Sequence, residues 1–268
     1  MRVAIGVAYD GGPFDGWQSQ PSGNTVQDRL EAALAAIGGA PVRLVAAGRT
    51  DAGVHATAQV AHFDTDAVRP ESAWVRGTNA HLPEAIAVQW ACGVDGDFHA
   101  RYSARTRTYR YLLYNHPVRP SVLAGLVGWF HLPLDAEAMC AAAQHLEGEH
   151  DFSAFRSAEC QAKTPVRTLE RVSVERRGEY VVFELVANAF LHHMVRNVVG
   201  ALVYVGKGAH PPEWLGELLA GRDRSRAAPT FGPAGLYLAD VRYPDRWQLP
   251  RFAPMLPFPA AGDAAVNE

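Results

Sequence analysis

The spacing of apolar positions changes along this chain, and each change marks an element. In residues 2–9, RVAIGVAY, Val3, Ile5, Val7 and Tyr9 alternate with small residues. That is the two-residue period of a β-strand with one side better filled than the other. A glycine-rich stretch, DGGPFDGWQSQPSGN, follows. Val26, Leu30, Leu34 and Ile37 then recur at helical spacing, with Thr25 placed as an N-cap and Gly38-Gly39 placed to stop the helix. Next come two strand-like runs around residues 48–53, the second reaching Gln59 to Phe63. A short helix over PESAWVRGTNAHLP and a strand over AIAVQWA complete a first α/β half.

Residues 97–115, DFHARYSARTRTYRYLLYN, read as a connector feeding a long strand that sets Arg105, Arg107, Tyr109, Tyr111 and Leu113 on one face. Asp135 caps a helix carrying Ala136, Met139, Ala143 and Leu146. Strands follow near Thr168 to Arg176 and Tyr180 to Ala187, split by Arg177-Gly178. In AFLHHMVRNVVGALVYV, residues 189–205, Leu191, Val195, Val198 and Leu202 make a buried helical stripe. Pro211 and Pro212 begin another helix, with Leu215, Leu218 and Leu219 inward and Gly221 at its end, before a last strand, GLYLADV. The second half thus repeats the first in outline. The expected division is 1–104, 105–246 and a tail, 247–268, whose prolines and alanines show no period and predict an extended or disordered segment.

Chemistry concentrates between the two early strand runs, in Gly48-Arg49-Thr50-Asp51-Ala52-Gly53. Loops carried on rigid strands are favoured places for function, and glycines on both sides let the backbone turn sharply. Arg49 and Asp51, two apart, share a face if the chain is extended. A neighbouring guanidinium typically lowers a carboxylate pKa by about 1 to 3 units, leaving a charged group able to act as a nucleophile. Taken alone, the turn fits a surface ion pair equally well. Arg196, inside the most apolar segment, needs a partner if buried. Asp51 is one candidate, and a neighbouring helix end or a surface carboxylate is the alternative. Arginines interleaved with tyrosines before and along 105–113 suit phosphate contact and base stacking, or simply an aromatic edge strand. Arg222, Arg224 and Arg226 at spacing two fit a phosphate track or a solvated loop.

Composition narrows the classes. At 268 residues and 48% hydrophobic content the chain can build real cores. It contains no apolar run long enough to span a membrane, and its first residues turn polar too soon for a signal peptide, so a cytoplasmic protein is expected. Cys92, Cys140 and Cys160 are odd in number and show no C-x-x-C spacing, so neither a disulfide framework nor a zinc site is expected. Adjacent His192 and His193 lack the spacing of a helical metal pair, and His55 and His62 read as structural. The net charge of −3 opposes a broadly basic nucleic-acid surface. Residues 105–268 nevertheless carry 18 Lys plus Arg against 17 Asp plus Glu, and only Lys163 and Lys207 in the whole chain are lysines. Nearly every cation is therefore a guanidinium suited to phosphate.

Five segments, YDGGPFDGWQSQ with TVQDRLEAAL, AAGRTDAGVHATAQVAHF, DFHARYSARTRTYRYLLYN, FLHHMVRNVVG and AAPTFGPAGLYLADVRYP, together resemble the tRNA pseudouridine synthase A family over roughly residues 3–244. The resemblance implies an α+β fold of two similar halves, with mainly antiparallel sheets flanked by helices and an active-site cleft between them. It implies isomerisation of uridine to pseudouridine at positions 38 to 40 of the tRNA anticodon stem-loop, by a homodimer that uses no metal or organic cofactor and no membrane. By the same resemblance Asp51 is the nucleophile, Arg196 pairs with it, and Arg49 stands at the RNA or active-site edge. Tyr109 contacts the target base, and Leu236, or Leu238 two residues on, walls the pocket. Phe231 and Gly232 depart from the A-P-T-A-P pattern usual before the last strand, which bears on that wall. Two other classes fit parts of the pattern. A non-catalytic RNA-binding protein would be expected to lack Asp51, and a glycoside hydrolase would need a second acid that does not stand out near the turn.

Overall fold

The structure, a computed structural model, describes residues 1–251. It forms two compact units, Met1–Arg105 joined by residues 237–251, and Thr106–Leu236. The first unit contains β1 (Arg2–Tyr9), α1 (Val26–Gly38), β2 (Val45–Ala46) and β3 (His55–Asp64). A π-helical turn (Ala73–Gly77) then runs into α2 (Thr78–His81), followed by β4 (Ile86–Val94). The second contains β5 (Thr106–Asn115), β6 (Gly128–Phe130), α3 (Ala136–Gln144), β7 (Gly148–Asp151), β8 (Val166–Arg177), β9 (Tyr180–Ala187), α4 (Met194–Gly206) and α5 (Trp214–Gly221). The last strand, β10 (Leu236–Arg242), starts at the end of the second unit and continues into the first.

In the first unit β1 lies antiparallel between β3 and β4, and β10 adds parallel to β3 through Tyr237 opposite His55 and Leu238 opposite Ala56. The small-residue side of β1 has a clear purpose. Gly6 stands opposite Trp90, and a Cβ there would sit 2.0 Å from the indole Nε1, so the missing side chain makes room for the Trp90 ring. At the start of α1 the Thr25 hydroxyl oxygen accepts the Asp28 N–H at 3.2 Å and its proton goes to the Asp28 carboxylate at 2.6 Å. Gly39 closes the helix in the left-handed region, φ 76°, donating to Ala35. Between these caps Val26, Leu30 and Leu34 are buried, each leucine contributing about 2 kcal/mol.

In the second unit β5, β9, β8 and β7 form an antiparallel run, with β6 parallel to the outer side of β5. Asp135 caps α3 through the Ala138 N–H at 2.9 Å, and α3, α4 and α5 pack against one another. Both units are thus α+β with mostly antiparallel sheets flanked by few helices.

Several local expectations change. α4 begins at Met194 rather than near residue 189, because the preceding residues turn, with Met194 N–H on Leu191 O, and His193 enters the helix at φ 61°. The left-handed residue after α5 is Arg222, φ 52°, and Gly221 is still helical. The strand that suits either RNA contact or an aromatic edge is packed inside from Arg107 onward: Arg107, Tyr109, Tyr111 and Leu113 are buried while Arg105 ahead of it is exposed, and Tyr111 donates to Gly232 O at 3.0 Å. Arg110, on the other side of β5, binds Glu184 at 2.6 Å, which also takes Arg171. Finally, residues 237–251 pack with the first unit, not with the half drawn as 105–246. Besides the β3 pairing, Tyr243 donates to Ala100 O at 2.6 Å and the buried Trp247 packs edgewise on Phe98. The expected tail therefore begins with an anchored residue, and its residues 252–268 lie outside the described residues. Among the described residues no helix is long and apolar enough to cross a membrane.

One buried base in the first unit sets a pH dependence. His62 on β3 is almost fully enclosed, its Nδ1 accepting the Ala100 N–H at 3.1 Å. Burial, reinforced by the charge of Arg2, pushes its pKa down to about 4. The unfolded chain takes up this proton near 6.5, so the stabilisation is fully present above that pH and is lost as pH falls toward 4. Chemical denaturation at pH 7, 5 and 4 should show a loss on the order of 2 kcal/mol that the His62→Gln variant lacks. Parallel pH profiles for the two proteins would remove His62 as the cause.

Candidate active site

Asp51 sits at the head of the turn between β2 and β3, half-buried, and the chain beneath it is held from several directions. Thr50 is buried, its carbonyl accepting the Trp17 N–H at 3.0 Å and its hydroxyl meeting the Tyr9 phenol at 2.8 Å. Gln59 Nε2 donates to Gly48 O at 2.7 Å and to the Tyr9 oxygen at 3.4 Å, which directs the phenol proton toward Thr50. Full burial raises the Tyr9 pKa to about 12, so it remains a donor at neutral pH. The Asp51 carbonyl accepts the Val54 N–H at 3.1 Å, and Gly53 turns the chain at φ 76°.

The glycine-rich stretch after β1 supports this turn. Gly16, at φ 89°, lies so near that a Cβ would stand 2.8 Å from Thr50 O and 3.0 Å from Ala52 N. A Cβ on Gly11 would come within 2.0 Å of Val54 O, and the Gly11 N–H donates to His55 Nδ1 at 3.1 Å. His55 is buried and stacked on Tyr237, centroids 4.7 Å apart. Tyr9, Gly16, Trp17 and Gln59 were not singled out as functional from the sequence. The two glycines were the available signal, since their use is close backbone approach.

Arg49 is exposed and makes no hydrogen bond or ion pair among the described residues. Exposed Arg49, buried Thr50 and half-buried Asp51 follow one another outside any strand, with Arg49 turned to solvent. The pair anticipated from their spacing therefore does not form.

In the second unit Tyr109 is nearly buried on β5, its ring edge-on to Phe190 at 4.9 Å. Arg196 lies in the first turn of α4, half-buried, and grips the segment ahead of β10 in both directions: its Nε donates to Phe231 O at 2.9 Å, and its own carbonyl accepts the Phe231 N–H at 3.2 Å. The departure at Phe231 and Gly232 is thereby fixed, with the Phe231 ring packed edgewise on Tyr111. Fully buried Asn197 extends the clasp. Its amide donates to Phe155 O at 2.7 Å and its oxygen accepts from Thr230 at 2.7 Å and Arg224 at 3.0 Å. Arg224 also caps Ala228 O, so it is turned inward and Arg222, Arg224 and Arg226 form no common track. Leu236 and Leu238 are both buried, with 4% and 0% of their surface exposed.

A family model described as tRNA pseudouridine synthase matches residues 5–103 and 142–244. A relative from Thiobacillus denitrificans named tRNA pseudouridine synthase A is 58% identical over 258 residues, covering 96% of this chain and 99% of the relative. Relatives with the same name from Aromatoleum aromaticum and Dechloromonas aromatica are 62% and 60% identical over 250 residues, covering 93% of this chain and 95% of each relative. The chain belongs to the tRNA pseudouridine synthase family.

The clasp has a direct test. A Cβ at Gly200 on α4 would stand 2.4 Å from Pro229 O, a backbone atom. Gly200→Ala should destabilise the protein by about 2 kcal/mol in urea unfolding, through overpacking. Asn197→Ala, which leaves the Phe155, Thr230 and Arg224 partners without their shared group, should cost at least as much. Wild-type unfolding midpoints for both would show that the segment before β10 is not fastened through α4.

Proposed function

We propose that the protein is a tRNA pseudouridine synthase that isomerises uridine at positions 38 to 40 of the anticodon stem-loop, working as a cytoplasmic homodimer without metal or organic cofactor. The family relationship carries this reading, and the rigidly based Asp51 turn supports it. In the reaction the N1–C1′ bond breaks, the base turns, and C5 joins C1′. C5 gives up its proton and N1 takes one up, so atoms and electrons balance without an external oxidant or reductant.

Asp51 supplies the carboxylate. Its backbone is held through Thr50, Gly16 and Val54, and a reacting group attached to so fixed a base retains its geometry, which strongly affects rate. Attack at C1′, proton abstraction from the sugar and addition to the base all require an ionised aspartate. Arg196 contributes the guanidinium that the family resemblance pairs with it, and its Nε bond to Phe231 O orients the fork. Tyr109 offers an aromatic face for a uridine drawn out of its stack, a step that costs a few kcal/mol. Leu236 provides an apolar wall, and exposed Arg49 suits a phosphate at the edge.

Incubation with unmodified tRNA and mapping of pseudouridine is the primary test, with product at 38 to 40 expected. Asp51→Asn should form none while binding tRNA within a few-fold of wild type. Appreciable product from that variant would remove Asp51 as nucleophile. Arg196→Lys should lose at least about a hundred-fold in turnover, because a point charge replaces neither the planar fork nor its Nε bond to Phe231. Normal kinetics there would leave Arg196 a purely structural part. Tyr109→Phe separates stacking from hydroxyl chemistry: a near wild-type rate assigns the residue to stacking, and a large loss assigns it to the hydroxyl.

A further inference from the structure

The segment 97–105 of the first unit carries an exposed aromatic stack that none of the chemistry above employs. Tyr102 is 76% exposed. Its inner face lies on the His99 imidazole, centroids 4.3 Å apart and planes at 29°, and His99 in turn meets His62 at 5.0 Å. The imidazole is immobilised, since its Nδ1 accepts the N–H groups of Arg101 and Tyr102, both at 3.2 Å. Its backbone exchanges hydrogen bonds with Ser103, at 3.0 Å to the hydroxyl and 2.8 Å from the amide. The neighbouring residues are anchored too, by fully buried Phe98 and by Ala100, which donates to His62 and accepts from Tyr243. Burial, with the charges of Arg2 and Arg101, holds the His99 pKa below its usual value, so the supporting ring is neutral at pH 7.

The surroundings are cationic rather than apolar. The Arg101 guanidinium carbon lies 5.6 Å from the Tyr102 ring centre, and both Arg101 and Arg105 are exposed. Arg105 forms no ion pair among the described residues. A single aromatic face, held rigid from behind and bordered by the Arg101 guanidinium, is poorly suited to a protein or lipid partner, which would call for a wider apolar patch. It matches a nucleobase attached to its phosphates: the π-face stacks and the cations take the backbone.

We propose that Tyr102, backed by His99 and bordered by Arg101, with exposed Arg105 three residues on, is a second nucleotide-binding subsite that stacks one unpaired base of the tRNA. An unpaired base is required because a paired one already has neighbours on both faces. The inference rests on the reading that the substrate is tRNA, and it adds a contact separate from the residues assigned to the reacting uridine.

Binding of fluorescently labelled, unmodified tRNA, read by anisotropy, tests it apart from turnover. Tyr102→Ala should raise Kd roughly ten-fold, and Tyr102→Phe should restore binding to within about two-fold of wild type. Arg101→Ala should weaken binding and flatten its salt dependence. Sedimentation and circular dichroism on the same samples separate the alternatives, with Tyr102→Gln as a second probe should the alanine variant misfold. A wild-type Kd for both Tyr102→Ala and Tyr102→Gln overturns the subsite. So does a change of oligomeric state on substitution, which would make Tyr102 a contact between protein copies. If the wild-type protein itself neither bound nor modified tRNA, the functional reading would fall, an outcome distinct from either of these.

Discussion

The contact on which the Asp51 turn depends is backbone against backbone, between the loop after β1 and residues 50–52. Gly16 permits it twice over: it takes up a φ of 89°, and it leaves empty the space where any Cβ would strike Thr50 O. Because that approach is possible, the Trp17 N–H reaches Thr50 O, and the Thr50 hydroxyl is left to close on Tyr9. Both polar groups of the residue just before Asp51 are thus engaged below the turn. Buried polar groups so fully paired specify one arrangement, because any shift would strand a donor or acceptor away from water. A carboxylate raised on such a base has few degrees of freedom beyond its own rotamers.

The second unit fixes its charged residue by the same means. Arg196 is held by a reciprocal pair of bonds to a single residue, Phe231, and the close approach is again made possible by a glycine, Gly200 beneath Pro229 O. Asn197, the next residue along the chain, spends its amide on three partners, Phe155 O, Thr230 and Arg224. The guanidinium is therefore oriented through one nitrogen while the segment leading to Leu236 is pinned by the same residues. Substitution at Arg196 must act on both, and stability and turnover have to be read together for that position.

Much of this was legible in the sequence where one residue type has one physical use. Thr25 and Asp135 stand as caps, Gly39 and Gly178 turn left-handed, and the alternation of β1 and the stripe of α1 bury the residues their periods point inward. The presence of Asp51 on a glycine-framed turn was equally readable. What could not be read was set by tertiary contact. Spacing put Arg49 and Asp51 on one face of a strand, but both lie outside any strand and Arg49 is turned to solvent without an ion pair among the described residues. Periodicity carried α4 back to Leu191, yet the turn through His193 is stabilised by bonds that local pattern does not encode. The interleaved arginines and tyrosines of β5 match a solvent-facing recognition strand and a packed interior strand alike, and only the partners, Gly232 for Tyr111 and Asn188 for Arg107, distinguish them.

The arginines also resolve the tension between a net charge of −3 and an RNA substrate. A count treats all guanidinium groups as equal contributors to a surface field, but many here are tied to other groups of the fold. Arg110 neutralises Glu184, Arg224 and Arg107 hold backbone carbonyls, Arg156 binds Cys160 O, and Arg176 spans Asn115 and Leu134. These charges are committed to folding and contribute little to attraction of phosphate at a distance. Arg49, Arg101 and Arg105 are different, lying exposed on the turns at the ends of strands. With a Debye length of about 8 Å at physiological ionic strength, a phosphate responds to the few charges near it rather than to the molecular total. A mildly acidic chain can therefore hold RNA if its outward cations are grouped, and the grouping, not the sum, is what sequence composition leaves out.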